Sequence, residues 1–191
     1  MSTVTIVGKG NIGSAVAAIA AAAGHDVQVL DTATPDVAII GDVVVLAVPH
    51  PAVGDILATY GDQLAGKVVV DITNPVNFET FDGLVVADGS SFAADLAAKL
   101  PNSTVLKAFN TNFASTLASK KVGDLQTTVL IAGDDAAAKA TLASAVEAGG
   151  LSAIDAGSLK RAHELEAIGF LQITLAAGEK IAWTGGFGVV R

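Results

Sequence analysis

The chain has 191 residues and a net charge of −8; 51% of it is hydrophobic, but only 5% is aromatic and 16% charged. That length suits one domain, or one domain with a short appendage, and the Ala- and Val-rich mix suits helices packed closely on a Val-rich sheet. The acidic balance argues against nucleic acid or an anionic membrane as the main partner, and the absence of cysteine excludes disulfides, thiolate catalysis and Cys-ligated metal while fitting a reducing cytoplasm.

The chain opens with a β-branched run at 3–7, then a glycine turn, G-K-G-N-I-G, at 8–13. Ile12, Val16 and Ile19 follow at helical spacing on an Ala background that Gly24 closes. The Ala-rich run is not a targeting signal, because an apolar strand precedes the nearby lysine and glycines occupy the expected turn. A second strand at 27–30 ends at Asp31. No stretch reaches the ~20 apolar residues of a membrane span.

The run 42–48 (DVVVLAV) has the continuous apolar character of a buried parallel strand, and the short connection before it leaves little room for a crossover helix. A helix is predicted over 51–64, a strand over 67–71, a loop over 74–78, and a helix over 90–100 capped by Ser90 or Ser91. Strands at 104–109 and 127–132, a helix at 134–148 and a strand at 151–155 complete the alternation. From 158 to about 183 the pattern is helical again, apolar on more than one face, and the tail after it is Gly-rich and apolar. The expected fold is α/β, a doubly wound and mostly parallel sheet of the Rossmann type with a C-terminal helix. Residues 1–157 would form the NAD(P)-binding domain, and 158–191 a helix and tail packed on the sheet or on a second subunit of a homodimer.

In such sheets ligands lie beyond the carboxyl ends of the strands. Gly8 allows the tight turn, Gly10 lets backbone approach a pyrophosphate, and Gly13 lets helix and strand pack closely, with the helix N-terminus beyond supplying free N–H groups. Lys9, Asn11 and Ile12 complete the turn. Asp31 stands 18 residues after Gly13, where an acid hydrogen-bonds the adenosine ribose hydroxyls. A carboxylate there favours NAD over NADP, and no Lys or Arg occurs from Gly10 to Gly66. Lys9, Thr32 and Thr34 are the groups that could still partner an extra phosphate.

The ordered motifs G-K-G-N-I-G, D-V-V-V-L-A-V-P, K-V-V-V-D-I-T-N-P, V-L-K-A-F-N-T, A-G-D-D-A-A-A-K and D-A-G-S-L-K-R-A run through nearly the whole chain. The set resembles the NADP-dependent oxidoreductases that reduce the deazaflavin coenzyme F-420, and it is similar to the nucleotide-binding domain of membrane ferric reductases. The resemblance implies NADP as cofactor and direct hydride transfer between a nicotinamide and a second redox ring, which requires alignment and dryness rather than an acid or base. It implies that Val48, Pro49 and His50 lie along the nicotinamide half of the cofactor and that Asn74 and Pro75 sit beside the nicotinamide. Ala108, Asn110 and Thr111 would border the acceptor pocket, and Arg161 would open the last helix near the acceptor. Asp31 and the shortened crossover depart from the family pattern.

The expected function is an NAD(P)H-dependent oxidoreductase acting on a flavin, deazaflavin or quinone-like acceptor. The alternatives are a non-catalytic NAD(P)-binding redox sensor or scaffold and a small-molecule dehydrogenase with a His50 or His163 proton relay. Lys160 and Arg161 against Glu164 and Glu166 read as a salt-bridged helix face. His25 reads as a solvated helix end and His163 as a surface residue; three histidines so scattered make no metal site.

Overall fold

A computed structural model describes residues 2–31 and 37–190. Strands β1 (Thr3–Val7), β2 (Asp26–Leu30), β3 (Val43–Leu46), β4 (Val68–Asp71), β5 (Thr104–Lys107), β8 (Thr128–Gly133) and β9 (Ser152–Gly157) form one sheet in the order β2-β1-β3-β4-β5-β8-β9. All neighbours are parallel except β5 and β8, which pair antiparallel through Leu106 with Gly133 and Lys107 with Ala132. The chain moves outward from β1 to β2 and then returns to the other side of β1 at β3. That reversal is the switch point at which open α/β sheets bind ligands.

The continuous apolar runs exist because both faces of the sheet are covered. Successive residues point to opposite faces, so Ile6, Val45, Val70 and Leu106 enter one core while Val7, Leu46, Val69 and Val105 enter the other. The first core is closed by α1 (Asn11–Ala22) and α5 (Ala136–Ala148), and the second by α2 (Val53–Tyr60) and α3 (Phe92–Lys99). Each fully buried Val or Leu contributes about 1.5–3 kcal/mol, so the sheet is held from both sides by its own sequence pattern.

The predicted 51–64 helix is α2 with a 3-10 turn at each end, His50–Ala52 and Gly61–Leu64. Side-chain capping follows expectation at α3, where Ser91 accepts from Ala94 N at 3.1 Å. Asp135 likewise caps α5. The last helix, α6 (Ala162–Ala177), is shorter than its periodicity suggests. It stops at Gly178, and Trp183 lies in the turns beyond. Between β2 and β3 the described residues contain no helix. Gln28 Nε2 donates to Ala38 O at 2.8 Å and Gly41 N to Thr5 Oγ1 at 2.9 Å, so side chains of β1 and β2 tie down the abbreviated connection.

Two elements lack a sequence-based expectation. The short helix α4 (Ala114–Ser119) ends at Lys120 in a left-handed conformation, and the hairpin of β6 (Lys121–Val122) and β7 (Leu125–Gln126) turns at Gly123-Asp124. The Gly-Asp pair is the local signal for that hairpin, but two-residue strands carry no alternation to read. No helix among the described residues is long and apolar enough to cross a membrane.

Candidate functional site

β1 ends at the glycine turn and α1 begins at Asn11, so Gly13 lies inside the first helical turn. Gly8 has φ +117°, and a Cβ there would collide with the carbonyl of Ala47, whose carbon would lie 2.8 Å away. Glycine is therefore required where β1 runs alongside the end of β3. At Gly10 a Cβ would meet nothing within 4 Å, so the turn presents bare backbone to open space. No side chain caps α1, in contrast to α3 and α5, and the first N–H groups of α1 face the same opening. A dinucleotide phosphate fits this cradle.

Asp31 follows directly on β2, whose Leu30 O accepts from Gly8 N at 2.9 Å, so the acid stands beside the turn. Its carboxylate pairs with Lys9, which is largely exposed. Thr32 and Thr34 lie outside the described residues.

From the turn a cleft of about 340 Å³ runs across the carboxyl ends of β3 and β4. Gly10, Asn11 and Ile12 line one end; Val48, Pro49 and His50 line its flank; Ile72, Thr73, Asn74, Phe78 and Ile173 line the other end. The structure thus brings together the predicted Gly10, Asn11, Ile12, Val48, Pro49, His50 and Asn74. Pro75 is buried just behind, its O accepting from Val85 N at 2.7 Å. Phe78 is carried by the loop after β4, stacks edge-to-face on Phe81 at 5.5 Å and is half-exposed. His50 packs edge-on against Phe92 at 4.3 Å, and burial holds its imidazole below the ordinary value, with Asp71 opposing and Lys107 reinforcing the shift.

Asn110 and Thr111 are not among the residues that line the cleft; they hold Asn74 and α6 from behind. Asn74 Nδ2 donates to Asn110 O at 2.8 Å, and Asn110 Nδ2 donates to Asn74 Oδ1 at 2.9 Å and to Leu165 O at 2.8 Å. Thr111 O accepts from Gln172 Nε2 at 3.2 Å. Gly169 permits this packing, since a Cβ there would lie 2.8 Å from Asn74 Cγ. Phe109, buried and at φ +61°, turns the chain sharply so that 110–112 can enter the core. Ala108 is likewise fully buried. Arg161 does not reach the cleft; it is half-exposed and donates to Glu164 at 2.7 Å.

Three expectations about polar residues change. Glu166 does not belong to a salt-bridged surface with Lys160 and Arg161. It is fully buried, because α6 turns that face toward β5 and the start of α3. His163 is half-buried, with its ring within hydrogen-bond distance of Ser90 O at 2.9 Å, and His25 pairs with Ser2 Oγ at 3.0 Å. A fully buried charged group thereby appears under the cleft. Lys107 Nζ donates to Asp71 Oδ2 at 2.7 Å and to Thr73 O at 2.6 Å, and pairs with Glu166 Oε1 at 2.9 Å. Glu166 also accepts from Phe92 N at 2.9 Å and Ala93 N at 3.2 Å. Burial pushes the Glu166 carboxyl above the usual range, opposed by Lys107 and the Phe92 N–H. The signal for this group is in the sequence: a lysine inside V-L-K-A-F, a buried strand, must find carboxylates.

The sheet order, with the glycine turn and the cleft at its switch point, defines an α/β fold of the Rossmann type. The family model for coenzyme F420-dependent NADP oxidoreductases matches residues 30–75. The F420-dependent NADP reductase of Methanocaldococcus jannaschii is 28% identical over 166 residues, 85% of this chain and 74% of that protein. The metalloreductase STEAP3 of Rattus norvegicus is 42% identical over 113 residues, 59% of this chain, and the aligned part is 22% of that protein's length. A crystal structure of a putative F420-dependent NADP reductase from Arthrobacter sp. FB24 superposes with a TM-score of 0.85 at 26% identity, covering 100% of both chains. The resemblance carried by the sequence motifs is thus to NADP-dependent reductases in sequence and in fold.

Proposed function

We propose that this protein is an NAD(P)H-dependent oxidoreductase that transfers hydride to a flavin, deazaflavin or quinone-like acceptor. The observation that carries the reading is a single cleft joining the bare-backbone turn at Gly10 to Thr73, Asn74 and His50 at the switch point. Bound NAD(P)H would supply the hydride. The protein would supply the phosphate cradle, the ribose acid Asp31, and a wall formed by Val48, Pro49 and Asn74 that fixes the ring's orientation. Phe78 and Ile173, half-exposed at the far end of the cleft, offer an apolar surface to a planar acceptor and exclude water from it. Residues 158–191 act in this reading as the appendage that closes the acceptor side, in a homodimer in the cytoplasm. The test is turnover of NADH and NADPH with a panel of flavin, deazaflavin and quinone acceptors; no turnover with any of them counts against the reading.

Asp31 favours NADH, whereas the relatives are NADP reductases. Calorimetric titration with both cofactors at matched salt decides between these. Asp31→Asn is expected to shift the NADPH/NADH affinity ratio toward NADPH roughly tenfold, about 1.4 kcal/mol, because it removes like-charge repulsion and releases Lys9 for a phosphate. A ratio unmoved by the substitution would mean that Asp31 does not face the ribose.

The placement of His50 in the cleft supports a second reading, a dehydrogenase of small alcohols or imines with His50 as proton relay. His50→Gln separates the two. Hydride transfer between rings survives it, whereas a proton relay loses about 10²-fold or more in kcat.

A further inference from the structure

Asp71, Lys107 and Glu166 are all fully shielded from solvent, yet they contribute two acids and one base. The hydrogen bonds fix their charge. Asp71 accepts from Lys107 and from Thr73 N at 2.9 Å, and Glu166 accepts from Lys107, Phe92 N and Ala93 N. Among the described residues every partner of the two carboxyls is a donor, an arrangement that suits carboxylates and offers no acceptor for a carboxyl proton. The group therefore carries one net negative charge on side chains fully shielded from solvent.

The same group touches the cleft. Thr73 lines it, and both main-chain polar atoms of Thr73 are held by the group, N by Asp71 and O by Lys107 at 2.6 Å. His50, on the opposite flank, lies within the electrostatic reach of Asp71 and Lys107. A buried charge so placed acts on whatever sits at the ring end of the cleft, and added salt screens it little.

We propose that the Asp71–Lys107–Glu166 group sets the relative affinity of this site for the oxidised and reduced forms of the dinucleotide. The inference rests on the NAD(P)H reading above. The nicotinamide ring is cationic when oxidised and neutral when reduced, and the two forms are otherwise nearly identical in shape. A net negative charge under the ring end stabilises the cationic form selectively, and it acts in the same sense on positive charge that develops as hydride departs. Lys107 paired with Asp71 alone would be neutral; the second carboxylate, Glu166, supplies the net negative charge. Glu166 is thus a positioning residue that acts at a distance, through charge, on a ring it does not touch.

The test measures dissociation constants of NAD+, NADH, NADP+ and NADPH for the full chain and for Glu166→Gln, in low and high salt. The substitution keeps the shape and removes one unit of negative charge. It is expected to weaken the oxidised form relative to the reduced form roughly fivefold, by an effect that high salt does not abolish. Asp71→Asn removes the same charge from the other side of Lys107 and is expected to shift the ratio in the same direction, which keeps the test open should Glu166→Gln not fold. A purely structural role would weaken both forms alike, and that result, or an unchanged ratio, overturns the inference. Wild-type protein that binds neither form overturns the dinucleotide reading as well, whereas binding with an unmoved ratio overturns this inference alone.

Discussion

Replacement of Lys107 with Met is expected to destabilise the fold by about 3–5 kcal/mol, the characteristic cost of leaving buried charge uncompensated. Lys107 ties together four parts of the chain: β5, on which it lies; β4 through Asp71; the following loop through Thr73 O; and α6 through Glu166. Its ammonium has no route to solvent, so its loss exposes the two carboxylates only to each other. The effect has a pH signature. Glu166 already sits above the usual carboxylate range because of burial, and Lys107 is the largest influence holding it down, so the variant raises it further. A group whose folded value lies above its unfolded value contributes stability that is complete below the unfolded value and is lost as pH rises through the folded one. The Lys107→Met protein should therefore recover stability on acidification through the weakly acidic range, where wild type does so less. Chemical denaturation at several pH values measures this. The double variant Lys107→Met, Glu166→Gln should lose less than the sum of the single losses, because it removes the orphaned charge with its partner. Additive losses would show that the three residues do not act as a unit.

Gly8→Ala is expected to cost about 3 kcal/mol or more and to abolish dinucleotide binding. The substitution forces an L side chain to φ +117° and drives its Cβ into the carbonyl of Ala47. Ala47 N donates to Val7 O at 2.8 Å, so relief of the clash requires β1 and β3 to part at the switch point. Gly10→Ala provides the contrast. Its backbone, φ −67° and ψ −178°, suits alanine, and the new methyl would enter open space. Stability should therefore change by no more than about 0.5 kcal/mol, while NADH and NADPH bind at least tenfold more weakly because the methyl occupies the place of a phosphate. Thermal melts paired with titrations separate the two effects. A Gly10→Ala protein with unaltered binding would remove the phosphate from this turn and with it the basis of the proposed function.

The sheet was legible because its determinants are local. Val-rich runs buried on both faces, a glycine turn between strand and helix, and acids or serines at helix starts all act within a few residues of one another. The same holds for much of the cleft lining: Gly10, Asn11 and Ile12 on one loop, and Val48, Pro49 and His50 on the next, are delivered to a common cleft once the strands lie parallel. The last helix was harder to read. Its apolar residues cover more than one face, so periodicity alone gave neither its end at Ala177 nor which side it buries.

Tertiary structure alone decided the charges. Lys160, Arg161, Glu164 and Glu166 lie close enough in sequence to form one polar helix face, and Arg161 with Glu164 does so. Glu166 instead points inward, because the partners that make its burial tolerable come from 59 and 74 positions away, Lys107 on β5 and Phe92 at the start of α3. Asn110 likewise turns from the cleft to Asn74, 36 residues earlier, under a left-handed Phe109. Hydrophobic periodicity is written along the chain and fixes which elements form. The pairing of a buried charge depends on which distant strands and helices meet, and that is decided only when the layers close.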